Sequence, residues 1–223
     1  MVSAQRPRIG VVRETAPGER RVALVPKVIT QLIGKGLDVI VESGAGEAAL
    51  LPDSAFESAG AVIGNPWDCD VVVKVAEPST DEIAKLSAGT RLIGFLNPRS
   101  QENQIGELKA KGVEAYAMEA IPRISRAQVM DALSSQNNVA GYKAVLVAAD
   151  NLTRFFPMLT TAAGTVKPAT VMVLGVGVSG LQALATARRL GARTIGYDVR
   201  PEVAEQVKSC LLYTSDAADE GLG

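Results

Sequence analysis

The sequence predicts an α/β protein of two domains, each built on a mostly parallel sheet, with the second domain begun but incomplete. Three observations predict this. Short apolar runs alternate with helix-length segments from residue 8 to residue 118, the rhythm of strand–helix–strand units. The runs are almost continuously apolar, as in DVVVKV at 70–75, which suits strands buried on both faces. A new strand–helix–strand unit then opens at Thr170, after a long proline-free stretch over 125–150. A chain of 223 residues has room for two such domains.

The elements follow in order. Residues 8–12 form a first strand, and RETAPGERR at 13–21 is polar and turn-rich. A helix covers 26–34, started by Pro26, whose missing N–H costs little at a first helical position, and stopped by Gly34 and Gly36. A strand over 37–41 leads into the SGAG loop at 43–46, then a short helix at 53–59. The strand 70–75 precedes a helix near 79–87 that starts after Pro78. A strand at 91–95, a helix at 101–111 and a strand at 113–118 complete a first domain over 1–125. Residues 125–150 read as one long helix, and 126–169 as this linking helix plus a crossover segment, TTAAGTVKPA at 160–169. The second domain begins at 170 and extends to 208.

Composition excludes several classes. The net charge of −1 gives no global electrostatic case for nucleic acid, and the pairs Arg20–Arg21 and Arg188–Arg189 read as solvated faces. The two cysteines, Cys69 and Cys210, supply neither a metal site nor a disulfide framework. Histidine is absent, which removes the usual proton shuttle and transition-metal ligand. No apolar window is long enough for a membrane span, and the N-terminal residues lack the apolar region of a signal peptide.

The most specific segment is TVMVLGVGVSGLQALATARRLGARTIGYDVR, 170–200. An apolar strand runs into Gly175, Gly177 and Gly180, a helix follows from Val178, and a second strand ends at Asp198. This is the spacing of a dinucleotide-binding Rossmann unit, for a nicotinamide or flavin cofactor. Gly175 permits the turn, Gly177 lets backbone approach a pyrophosphate, and Gly180 allows close helix–strand packing. The phosphates would sit at the helix N-terminus. Asp198 would accept both hydroxyls of an adenosine ribose and repel a 2′-phosphate, favouring NAD(H) over NADP(H). Arg200 weakens that preference or stacks on the adenine edge. Three glycines at this spacing also occur as a merely structural turn, but here strand, helix, second strand and terminal acid agree.

Five segments carry a family resemblance: residues 13–46, DVVVKVAEP at 70–78, PRISRAQVMDALSSQNNVAGYKAV at 122–145, FFPMLTTAAGTVKPA at 155–169 and VMVLGVGVSGLQALATARRLGA at 171–192. Over residues 8 to about 208 the chain resembles the family joining alanine dehydrogenase to the NAD(H)-binding alpha subunit of proton-translocating nicotinamide nucleotide transhydrogenase. The last three segments look like transhydrogenase in particular. The resemblance implies a two-domain formate/glycerate-dehydrogenase-like arrangement. It also implies that Arg123, Gln128, Asp131 and Ser134 hold the nicotinamide carboxamide and ribose, with Arg123, Gln128 and Asp131 closest to the chemistry. If 125–134 is helical, Gln128, Asp131 and Ser134 fall at steps of three along a slowly drifting face.

An amino-acid oxidoreductase of the alanine dehydrogenase type is the nearest rival. By resemblance Arg13 and Lys74 match its substrate-binding arginine and lysine, but Asn97 stands where that enzyme has histidine. Lys74 otherwise reads as a strand-end lysine with a local carboxylate partner such as Glu77. A third reading is a non-catalytic NAD(H)-sensing or interaction module. The transhydrogenase resemblance implies hydride transfer from NADH to NADP+ on a partner, NADP(H)-binding and membrane proton-channel subunits as partners, a homodimer, and a peripheral position on the cytoplasmic face of the inner membrane. Too few strands follow Gly175 for a complete Rossmann domain, so the chain reads as C-terminally truncated. PEVAEQVK at 201–208 reads as a further helix, and residues 209–223 as a non-native, adapter-derived tail. The two strands of the second domain should then form a small sheet with an unpaired edge.

Overall fold

The structure, a computed structural model, describes residues 6–200. It comprises two compact units, divided between Asp131 and Ala132. The readings of 201–208 as a helix and 209–223 as a tail lie outside the described residues, as does Cys210.

The first unit carries six parallel strands: β1 (Arg8–Val11), β2 (Asp38–Val41), β3 (Val62–Ile63), β4 (Val71–Val73), β5 (Arg91–Gly94) and β6 (Glu114–Ala117). Their order is β3-β2-β1-β4-β5-β6. The order reverses between β1 and β4, which makes the sheet doubly wound. Helices α1 (Pro26–Gly34) and α2 (Asp53–Ser58) follow the strands of one half, and α3 (Thr80–Lys85) and α4 (Glu102–Ala110) those of the other.

Local chemistry sets these boundaries. Pro26 occupies the start of α1. Ser79 and Glu82 form a reciprocal capping box at the start of α3, with the Ser79 hydroxyl accepting from Glu82 N–H and the Glu82 carboxylate accepting from Ser79 N–H.

Strand alternation sends neighbouring side chains to opposite faces. Val11 joins Ile29, Val39, Val41 and Phe56 in one core, whereas Val12 joins Val72, Ile83, Leu92 and Leu108 in the other. Each side chain buried in this way contributes about 1.5–3 kcal/mol. Sequence reasoning overlooked β3, which is only two residues long.

The second unit holds α5 (Ala132–Asn151), an antiparallel hairpin of β7 (Leu159–Thr161) and β8 (Gly164–Val166), and the unit β9 (Thr170–Leu174), α6 (Val178–Arg189) and β10 (Arg193–Tyr197). β9 and β10 pair in parallel, with Met172 opposite Ile195 and Leu174 opposite Tyr197. Val171, Ala183, Ala187 and Ala192 join Val145 of α5 in a shared core. The four side chains Met172, Leu174, Ile195 and Tyr197 remain 46–73% exposed, whereas parallel strands are ordinarily covered on both faces.

Two expectations change. The long helix predicted over 125–150 is broken: Ser125–Met130 is a 3-10 turn, Asp131 has non-helical ψ of 74°, and α5 starts at Ala132. The supposed helical face through Gln128, Asp131 and Ser134 therefore does not exist. The segment read as a plain crossover at 160–169 contains most of the β7–β8 hairpin, because Gly164 adopts φ +122° and turns the chain back.

Candidate functional site

The glycine loop joins β9 to α6. Gly175 adopts φ +87°, a conformation that L side chains rarely take. Gly177 caps α6 with extended backbone and no side-chain acceptor, and the first-turn amides of a helix have no partner within it. A Cβ at Gly177 would meet nothing within 4 Å, whereas one at Gly180 would lie 2.0 Å from the Gly175 carbonyl oxygen. The first position faces open space; the second is where helix and loop touch. Val178 begins α6 and is 44% exposed. Arg188 and Arg189 lie in its last turn, where positive charge complements the helix dipole.

Asp198 follows the end of β10 and turns back to this loop. Its Oδ2 accepts from Val176 N–H at 2.8 Å. Its Oδ1 accepts from the main-chain N–H and Nε of Arg200, both at 3.0 Å, and Arg200 Nη2 donates to Oδ2 at 3.1 Å. The Arg200 guanidinium, with the Arg200 and Val176 amides, holds the carboxyl well below the usual carboxylate range. Arg200 is thus a partner of Asp198, a role that residue types alone did not reveal.

A further glycine escaped sequence reasoning. Gly141 sits inside α5, and a Cβ there would lie 2.1 Å from the Ser179 carbonyl oxygen. This lets α5 press against the first turn of α6, directly behind the loop. The signal was available: glycine in a helix interior costs about 1 kcal/mol relative to alanine, so its presence calls for a packing reason.

Gly175, Gly177, Val178, Gly180, Asp198 and Arg200 therefore converge in the second unit, and Ser134 lies half-buried in the first turn of α5. Arg123, Gln128 and Asp131 belong to the first unit. Arg123 and Gln128 are exposed, the latter within the 3-10 turn whose Gln128 carbonyl accepts from Asp131 N–H at 3.1 Å.

The reversal point of the first sheet, where doubly wound folds place a ligand crevice, holds an internal ion cluster. Lys74 Nζ lies 3.2 Å from Glu14 Oε2 and 3.3 Å from Glu82 Oε2, and all three side chains are 5% exposed or less. Nζ also donates to the carbonyls of Ala76 and Glu77. Glu14 accepts from the Val75 and Ala76 amides, and Glu82 accepts from Thr15. The carboxylate partners of Lys74 are thus Glu14 and Glu82. Glu77, the expected partner, contributes only its main-chain oxygen, since the cluster draws on Glu14, 60 positions away and adjacent only in the fold. Arg13 is exposed, and its main-chain N–H donates to Glu42. Cys69 is buried, which pushes its thiol pKa up and keeps it protonated. Among the described residues no acidic or cysteine cluster could hold a metal ion, and no helix is long and apolar enough to cross a membrane.

Comparison with known proteins places the chain in a family. The chain is 49% identical over 212 residues to the first portion of the NAD(P) transhydrogenase alpha subunit of Rhodospirillum rubrum, covering 91% of this chain and 55% of that one. It is 35% identical over 199 residues to alanine dehydrogenase of Halomonas elongata, covering 86% and 53%. The crystal structure of transhydrogenase from Sinorhizobium meliloti superposes with a TM-score of 0.88 at 46% identity, over 91% of this chain and 62% of that one. The chain thus spans about half the length of the curated relatives it matches. The family model of the alanine dehydrogenase/PNT N-terminal domain matches residues 10–140. That of the C-terminal domain matches residues 144–216, so it runs into the segment from 209 that had read as a non-native tail. On these matches, the chain belongs to the alanine dehydrogenase/PNT family.

Proposed function

We propose that this chain belongs to the NAD(H)-binding component of a proton-translocating transhydrogenase. The observation that carries the reading is the β9–α6–β10 unit, with an open approach at Gly177, an uncapped helix N-terminus and an acid at the end of the second strand. These residues fit a dinucleotide. First-turn amides of α6 would hold the pyrophosphate and Asp198 the adenosine ribose; the resemblance to the family assigns the nicotinamide end to Arg123, Gln128, Asp131 and Ser134. NAD(H) supplies the hydride chemistry when bound. The chain supplies orientation, since transfer between two nicotinamides requires no acid or base from the protein at the reacting carbons.

The amino-acid dehydrogenase reading has less support. The chain has no histidine, and Lys74 is 1% exposed and engaged by two carboxylates. The greater identity to the transhydrogenase relative supports the same choice. With the transhydrogenase reading go a formate/glycerate-dehydrogenase-like arrangement of the two domains, a homodimer, partner subunits that hold NADP(H) and conduct protons, and a peripheral cytoplasmic position on the membrane complex.

Titration of NADH fluorescence into the full-length protein tests the site. Asp198→Ala should weaken NADH binding by more than about tenfold, the loss of two charge-assisted hydrogen bonds less the smaller gain from removing a competing ion pair. An unchanged affinity contradicts the ribose assignment.

A further inference from the structure

The Asp198 carboxylate is already saturated. A carboxylate offers about four lone-pair sites. Here four N–H groups fill them: Val176 N, Arg200 N, Arg200 Nε and Arg200 Nη2. The site proposed above for the adenosine ribose therefore has no vacant acceptor. A diol that donates two hydrogen bonds enters only if two of the four donors leave.

The donors differ in how easily they can go. Val176 N belongs to the glycine loop between β9 and α6, fixed by Gly175 N–H bonding to the Tyr197 carbonyl at 2.8 Å and by helix α6 behind it. Arg200 N is main chain, two residues from the acid. Arg200 Nε and Nη2 ride on a flexible side chain that is 53% exposed, while that of Asp198 is 9% exposed. Rotation of the guanidinium away from Asp198, with the main chain of the loop and of β10 in place, releases two parallel acceptor positions. A vicinal diol presents two donors to two such positions.

We propose that Arg200 is a specificity-determining residue of this site: its guanidinium occupies the ribose position of Asp198 and yields to a ligand that donates two hydrogen bonds there. The inference rests on the NAD(H) reading above. An unmodified ribose has both hydroxyl donors, so it replaces the guanidinium bond for bond. A 2′-phosphorylated ribose has lost one donor and offers oxygens that only accept, so it cannot take both positions and adds repulsion from the carboxylate. The pair thus screens ligands before the carboxylate is exposed. The cost falls on affinity, since every bound NADH must first displace the guanidinium.

NADH and NADPH are titrated into the full-length protein as wild type, Arg200→Ala and Arg200→Lys, with melting temperatures as the control for folding. Removing the competitor should tighten NADH binding about two- to fivefold, the equivalent of an exposed ion pair. Arg200→Lys, which keeps the charge but not the two-pronged donor, should fall between. NADPH affinity should not improve. Unchanged or weaker NADH binding by Arg200→Ala, beside a wild type that binds, overturns the displacement. An equal gain for NADPH overturns the selectivity. A wild type that fails to bind NADH at all overturns the cofactor reading, and the role of Arg200 with it.

Discussion

Alanine at Gly177 and alanine at Gly180 should produce opposite phenotypes, although the two positions are three residues apart. At Gly180 the new Cβ would sit 2.0 Å from the Gly175 carbonyl oxygen, 3.0 Å from its carbon and 3.3 Å from Val173 Cγ1. The obstacle is backbone, so relief requires the loop to move by about 1 Å. Overpacking of this kind costs about 1–3 kcal/mol, offset by up to about 1 kcal/mol from the better helix propensity of alanine. The net loss of about 1–2 kcal/mol lowers the Tm by roughly 2–8 °C for a chain of this size. At Gly177 the backbone lies in the extended region, with φ −82° and ψ −160°, and a Cβ would touch nothing within 4 Å. Stability should not fall there, but the methyl group stands where the proposed site would bring a pyrophosphate close, and NADH affinity should drop at least tenfold. Thermal unfolding and NADH fluorescence titration of both variants in the full-length protein separate the two effects. Wild-type NADH affinity in Gly177→Ala refutes the assignment of that glycine to phosphate approach. A wild-type Tm in Gly180→Ala refutes the packing argument.

Two further expectations concern the first unit. Lys74→Met leaves the buried carboxylates of Glu14 and Glu82 without their cation, a loss of about 3–5 kcal/mol. A fall in the urea midpoint should report it, and wild-type stability contradicts a structural role for the cluster. Glu19 is held at about 2, below its ordinary 4.5, chiefly by the Arg21 guanidinium. A depressed carboxylate pKa stabilises the fold above the unfolded value and loses that stability as pH falls through the folded one. The Glu19 contribution is therefore present above pH 4.5 and lost between 4.5 and about 2. Glu19→Gln should flatten urea midpoints plotted against pH in that window; an unaltered acid slope contradicts the assignment.

The legible regions of this chain are those governed by local chemistry. Pro26 marked the start of α1, and the Gly175–Gly180 spacing marked the β9–α6 turn, because backbone restrictions act within a few residues. The illegible regions depend on contacts distant in sequence. Nothing beside Lys74 pointed to Glu14 or Glu82, which the reversal of strand order brings together at the end of β4. Arg200 could be named as a cation near Asp198, but its two-pronged grip on that carboxylate depends on how the chain turns after β10. The break at Asp131 was hidden because residues 125–150 contain no proline and only one glycine, Gly141. Propensity alone therefore favoured a continuous helix, and tertiary context overrode it.

Hydride exchange tests the functional account most directly. The full-length protein is combined with NADP(H)-binding and membrane partner subunits, and transfer from NADH to an NADP+ analogue is followed beside L-alanine-dependent reduction of NAD+. Exchange should require the partners, and no alanine oxidation should occur with or without them. NAD+ reduction driven by L-alanine, or NADH binding with no exchange once the partners are present, would contradict it.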